Sequence, residues 1–202
     1  MNLYQIGSLI VLIGSWLFYS TINWALAIKT DYPNKQLAWV PVANMWIYGK
    51  TVRFSNPLTV GMMFPFIASI LSLFAPGNPV TVILDLVGIV VLLIATVRLF
   101  RCFGTSPANI WWVLLPIVGT IIFLVKFFGL LFSKNVPYTD LYAKNSADKK
   151  GVLTATPEWN ALSTALALAI VAIIIIIVGS FFTTAASMQQ AFEAAAHSSL
   201  YK

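Results

Sequence analysis

Six carboxylates, twelve Lys and Arg, one Cys and one His are all that the 202 residues offer for acid–base, nucleophilic or metal chemistry. Two of these side chains stand inside long apolar runs. Asp85 lies in the run 80–97, and an ionisable group in hydrocarbon costs about 2.5 to 3.5 kcal/mol at mid-depth on insertion scales, so it is a functional candidate by default. A proton or cation pathway through it would need further ionisable groups on neighbouring segments. Its position five residues past Val80, about 7.5 Å by helical rise, also lets it reach the outer interface or pack against another helix. Lys126 lies six residues before Phe132, about 9 Å by the same rise, so its long stem can carry the ammonium to the headgroups. The chemical alternative is a lysine that activates a serine nucleophile, which requires a hydroxyl within hydrogen-bond reach; no nucleophile motif accompanies it.

Other constellations are weaker. Cys102 follows Arg101, which favours thiolate, but its only candidate base, His197, is in the distant tail with no spacing that brings the two together. Arg98 and Arg101, three apart, share a helix face and suit a phosphate or carboxylate, with lipid headgroups as the simplest anion. One Cys and one His leave no zinc site of the usual kind and no intramolecular disulfide. Gly-rich phosphate loops, dinucleotide fingerprints and haem motifs are missing from the sequence, so no cofactor is expected.

The elements that position these residues follow from composition. The chain is 59% hydrophobic and 9% charged with a mean hydropathy of +0.88, against roughly 25% charged for a soluble globule. The solvent for most of it is therefore lipid. A span consumes about 20 apolar residues, so the chain supplies several spans and no water-side catalytic domain. The net charge of +6 does not indicate nucleic acid, because the basic residues lie singly or in pairs between apolar stretches, where they mark topology and meet anionic lipid.

Residues 3–28 carry no charge and form a first span, followed by Lys29 and Lys35; this places the N-terminus outside, without the pattern of a cleavable signal. Residues 37–48 are apolar, broken by Pro41, and carry Trp39 and Trp46. That block is too short to span and reads as an interfacial or dipping element. Residues 58–75, with Pro65 inside as a kink, and 80–97 form a hairpin joined by Pro76-Gly-Asn-Pro79, its uncharged turn outside. Residues 108–132 begin at the interfacial pair Trp111 and Trp112 and contain Pro116, Gly119 and Lys126. Length favours a crossing. Charge favours a re-entrant hairpin, because eleven of the twelve basic residues, all but Lys202, would then lie on the inner side. Shielding a re-entrant backbone takes much of a small chain, so crossing is expected and re-entry stands as the alternative.

The organisation expected is an all-α polytopic membrane protein of about five spans, or four plus a re-entrant hairpin at 108–132. A multispan module covers 1–138, a polar surface loop 139–160, and a final span with a helical tail 161–202. Thr156-Pro-Glu158 reads as the start of that last helix. Ala161, Ala165 and Ala169 form a small-residue stripe that would let another backbone approach, and Met188, Phe192 and Ala195 share a face of the tail.

The block Ala38-Trp-Val-Pro-Val-Ala-Asn-Met-Trp-Ile-Tyr-Gly-Lys50, with Arg98-Leu-Phe-Arg-Cys-Phe-Gly104, Trp112-Val-Leu-Leu-Pro116, Phe127-Phe-Gly129 and Pro137-Tyr138, resembles an uncharacterised bacterial membrane domain. That domain occurs alone and fused in front of some bacterial signal peptidase I enzymes. The resemblance covers roughly residues 29–138 and implies a small multispan module of the bacterial inner membrane. A catalytic portion would have to follow residue 138, where only a polar loop, one span and a tail remain, so it implies no peptidase and no catalytic residue.

The function expected is that of a non-enzymatic integral membrane subunit, with the bilayer and other integral membrane proteins as partners, packing in and stabilising a larger complex. Two other readings are a small channel or carrier using Asp85, and an accessory to membrane protein processing.

Overall fold

In a computed structural model, residues 3–75, 77–114, 118–133, 136, 138–139, 141–142 and 159–199 are described. Pro116, the lysines at 134, 144, 149 and 150, the Thr156-Pro-Glu158 start and the side chains of Ala195 and His197 lie outside the described residues.

Helix α1 is Leu3–Lys29, followed by a 3-10 turn Lys35–Trp39 and the short helices α2 (Met45–Thr51) and α3 (Asn56–Gly61). Helix α4 is Phe64–Phe74 and α5 is Pro79–Cys102; a 3-10 stretch Pro107–Leu114 then precedes α6 (Val118–Phe132), and α7 is Trp159–Ser199. Among the described residues, four segments are long and apolar enough to cross a membrane, namely Leu3–Lys29, Asn56–Phe74, Pro79–Cys102 and Asn160–Phe192. Local chemistry sets several boundaries. Asn78 accepts from the Val80 N–H at 2.9 Å and Pro79 opens α5, a side-chain cap followed by the residue whose missing N–H costs nothing there. Gly104, at φ +66°, provides the left-handed step after α5. Pro65 is not a kink inside one helix: it sits in the first turn of α4, after a break at Met62 and Met63.

Residues 108–132, expected as one long apolar element, are divided between the 3-10 stretch and α6. Thr139 N donates to Cys102 O at 2.7 Å, so the chain between them leaves and rejoins the same end of the bundle. It runs in as the 3-10 stretch and back as α6, whose 15 residues measure about 22 Å at 1.5 Å per residue, short of the roughly 30 Å of bilayer hydrocarbon. The Phe100 ring packs edge-on against Phe123 and Phe127 of α6, at 5.9 and 6.2 Å. Residues 108–132 thus form two limbs, tied to each other and to α5.

Helix α1 is the hub. It lies antiparallel to α7, with Gly7 facing Thr183, Val11 facing Gly179 and Gly14 facing Ile176. These steps of four and three residues match the 3.5-residue repeat of a left-handed pair. On α7 the buried positions Leu162, Ala165, Ala169, Ala172, Gly179 and Ala186 continue the same repeat. The small-residue stripe is thus real, with Ala165 and Ala169 fully buried and Ala161 partly so, but its partner is this chain's own α1. Helix α4 packs on α5 by pressing the Pro65 ring against Gly88.

A Cβ at Gly14 would lie 2.8 Å from Ile176 Cγ1 and 3.0 Å from the Ile176 backbone N, whereas at Gly129 nothing stands within 4 Å. Gly14→Leu is expected to lower stability by about 1–3 kcal/mol through overpacking, and Gly129→Ala to leave it unchanged or raise it by up to about 1 kcal/mol. Thermal unfolding in detergent followed by helical circular dichroism checks both.

Candidate functional site

Most polar side chains singled out by the sequence gather at the end where α1 and α5 finish. Lys29 is 2% exposed, and its ammonium donates to Leu130 O at 2.6 Å, Ser133 O at 2.7 Å and Val136 O at 3.3 Å. All three ammonium protons therefore meet carbonyls at and just beyond the end of α6, which have no intrahelical donor. The Phe103 ring lies 5.2 Å from the same nitrogen and packs on Tyr138, whose hydroxyl donates to Thr51 O at 2.6 Å. Arg98 sits between the Phe54 and Tyr142 rings, 4.9 Å from each, and donates to Val52 O at 3.4 Å. With Arg98 held this way and Arg101 exposed, the pair is not a closed anion clamp. Arg98, Phe103 and Tyr138, from segments quoted for the resemblance, meet the ends of α1 and α2 here.

Lys126 donates to Asn109 Oδ1 at 2.7 Å and lies 5.6 Å from the Trp112 ring, tying the two limbs of the hairpin rather than activating a hydroxyl. Asp85 is partly exposed and forms no salt bridge with another described residue, whereas Asp31 pairs with Lys35 at 3.3 Å. Counting from Cys102 and Ser133, which mark the basic end, Asp85 lies 17 residues away and Lys126 seven, so they differ in depth by about 15 Å along their helices. The two intramembrane ionisable residues do not form one site. The interfacial tryptophans divide: Trp39 packs on Trp24 at 5.6 Å, Trp46 lies under the Lys50 ammonium at 4.6 Å, Trp111 is 66% exposed and Trp112 half-buried. Cys102 is buried.

A groove towards the other end is one the sequence reading missed. A groove of about 470 Å³ runs between α1, α4 and α7. Helix α1 contributes Tyr4, Ser8, Val11, Leu12 and Ser15, all on one face; α4 contributes Ser69 and Ser72; α7 contributes Ser180, Thr183, Thr184 and Ser187. Nine of these eleven side chains carry a hydroxyl and none carries a formal charge. Tyr4 to Ser15 spans eleven residues, about 16 Å of helix. The signal was present in the sequence, since Ser180, Thr183, Thr184 and Ser187 follow the i, i+3, i+4, i+7 spacing of one helix face. What could not be read was that this face meets hydroxyls from two other helices. A smaller cavity of about 150 Å³, walled by Phe18, Tyr19, Tyr48, Thr96 and Phe127 among others, lies between α1, α2, α5 and α6. It is mainly aromatic, with one internal hydrogen bond of 3.0 Å between Tyr48 and Thr96.

No protein family, no curated protein and no solved structure matches this chain, so a functional reading rests on its own geometry. That geometry offers a lipid-depth groove of uncharged hydroxyls, suited to hydrogen bonding and to close approach of another chain, with no acid, base or cation in its lining.

Two buried groups on α1 test how polar contacts are balanced here. Both polar atoms of Asn23, a residue at 0% exposure, have no hydrogen-bond partner, so Asn23→Leu is expected to raise stability by about 1–3 kcal/mol. Lys29→Met removes three carbonyl contacts and is expected to lower it by about 2–4 kcal/mol. Unfolding of the purified protein in mixed detergent and denaturant measures both, and the opposite signs distinguish a structural lysine from an unsatisfied amide.

Proposed function

We propose that the chain is a non-catalytic integral membrane subunit that receives a transmembrane segment of another membrane protein in its hydroxyl-lined groove. The observation that carries this reading is the groove itself. In hydrocarbon there is no hydrophobic drive between helices, so association depends on close packing and on polar contacts of Ser and Thr type, and here three helices direct such side chains into one channel. Large exposed apolar residues stand beside it: Phe74 at the end of α4 is 83% exposed and Phe181, next to Ser180, is 73% exposed. The docking surface proposed from the alanine stripe is replaced by this groove, because α1 already covers the stripe.

The same proposal assigns four crossings and a re-entrant hairpin, with the end that holds Lys29, Lys50, Arg98 and Arg101 at the cytoplasmic face of a bacterial inner membrane and the groove opening towards the outer face. The positive-inside rule supports that orientation. The start of α1 and the end of α7 then both lie outside. The resemblance to a bacterial multispan domain agrees with this reading.

Docking is tested in cells with a photo-reactive residue at Leu12. The expected result is an adduct of discrete mass with one membrane protein, abolished by Ser15→Trp, which fills the groove, and not formed from Ile83, which is 59% exposed on α5. An adduct that survives Ser15→Trp, or forms equally from Ile83, overturns the reading. Orientation is tested in a Cys102→Ala background. Ala75→Cys is expected to react with a membrane-impermeant maleimide in intact cells, and Asn145→Cys only after permeabilisation; the reverse pattern inverts the topology.

A further inference from the structure

The order of elements repeats along the chain. Helix α1, a 3-10 turn, the short helix α2 and then α3 with α4 are followed by α5, a 3-10 stretch, the shorter helix α6 and then α7. Packing repeats with the order. In each half the 3-10 element lies against the long helix before it, and the later elements cross over: α2 packs on α5 as α6 packs on α1, and α4 packs on α5 as α7 packs on α1. Both of the last contacts are made through glycine, Gly88 of α5 and Gly7 and Gly14 of α1. At the basic end Lys29 donates to Leu130 O near the end of α6 and stands over the Phe103 ring, while Arg98 donates to Val52 O at the end of α2 and stands over the Phe54 ring. The sequence carries a trace of the same repeat: Ile47 and Tyr48 follow Pro41 by six and seven residues, and Ile122 and Phe123 follow Pro116 by the same counts. Because α1 and α5 finish at the same end, the two copies are parallel and related by an approximate two-fold axis along the bundle.

We infer that the chain is two copies of one unit, and that the cavity at their junction binds an uncharged ring compound whose oxygen accepts a hydrogen bond. This site is separate from the groove and does not depend on the docking reading. Its walls come from equivalent elements of both halves, α1 with α5 and α2 with α6, and the equivalent residues Tyr48 and Phe123 both face it. In transporter folds built from repeats, the ligand is held at that junction. The rings of Phe18, Tyr19, Tyr48, Phe123 and Phe127 dominate the lining, which has no formal charge. Its polar capacity can be counted. Thr96 gives its proton to Leu92 O at 2.8 Å, so in the 3.0 Å bond between Thr96 and Tyr48 the phenol is the donor. Among the described residues none bonds the Tyr19 hydroxyl, which leaves one O–H without an acceptor. A carboxylate or phosphate would meet no cation here. A quaternary ammonium gains from ring faces, but less than an unpaired ion loses on leaving water. A saturated chain leaves the Tyr19 donor unpaired, the costlier kind of orphan in a buried site. A neutral ring with a carbonyl or ether oxygen satisfies that donor, and its faces can stack as Phe123 and Phe127 already do, 14° apart at 5.7 Å.

The test uses the full chain in phosphatidylcholine nanodiscs and three probes with one decyl tail: decylbenzoquinone, decylcyclohexane and decyltrimethylammonium. Titration calorimetry is expected to show saturable binding of one quinone per chain, at least ten-fold tighter than either other probe. Tyr19→Phe keeps the ring and removes the donor; it is expected to weaken the quinone about five-fold and leave decylcyclohexane unchanged. Phe123→Trp, which fills the cavity, is expected to abolish binding with the melting temperature retained, and should that variant not fold, Tyr19→Phe decides. Equal binding of quinone and cyclohexane, or quinone binding that ignores Tyr19→Phe, overturns the hydrogen-bonded ring. Preference for the ammonium, binding that survives Phe123→Trp, or saturable binding of none of the probes overturns the site. The cross-link from Leu12 reads the groove alone, so each of these results is separate from the fate of the docking reading.

Discussion

A helix whose end is buried in the bundle must have its last carbonyls hydrogen-bonded by the protein, and this requirement organises the fold. Helix α6 ends against α1 at the basic end of the bundle, and Lys29 meets the need with an ammonium in contact with Leu130, Ser133 and Val136. The same lysine ends α1, so the helix that fastens the hairpin is also the one against which α7 is laid. Charge, backbone satisfaction and bundle geometry thus converge on one side chain. A lysine that reads as a topology marker is here a helix cap.

The other half of α1 works by absence of bulk. Gly7 and Gly14 bring the backbone of α7 to within contact of α1, and the alanines of α7 extend that seam towards Lys29. Because this seam is internal, the small residues stabilise the chain itself and leave no free surface for a partner. The hydroxyl groove lies alongside: Thr183 packs on Gly7 and also lines the groove. Close approach of α1 and α7 is therefore what brings their hydroxyl faces to one channel.

Hydroxyls suit this position because each can bond its own helix's carbonyl and so remain cheap in lipid. Asp85 has no such option and finds no ionic partner, and Lys126 is held by Asn109. A groove of hydroxyls, five of its nine bonded to a carbonyl of their own helix, gives up the strength of a charged site and gains tolerance of hydrocarbon. Recognition there would depend on shape and on several modest bonds rather than on one strong one.

Composition and apolar run length were enough to establish the helical class and the four long apolar helices, because lipid imposes a length on any element that crosses it. The boundaries at Asn78 and Pro79 were legible as well, since capping is a local matter. The fate of residues 108–132 was not. Their apolar length is that of a span, and only the contacts of Phe100, Lys29 and Thr139 with residues elsewhere in the chain fold them as two limbs. Nor could the alanine stripe declare its partner, or Ser8, Ser72 and Ser187 their shared groove, because a helix pattern tells which residues share a face and nothing about which face another helix will meet. The sequence by itself determined the solvent and the elements; tertiary structure decided which faces were left open, since that depends on pairwise packing between segments more than a hundred residues apart.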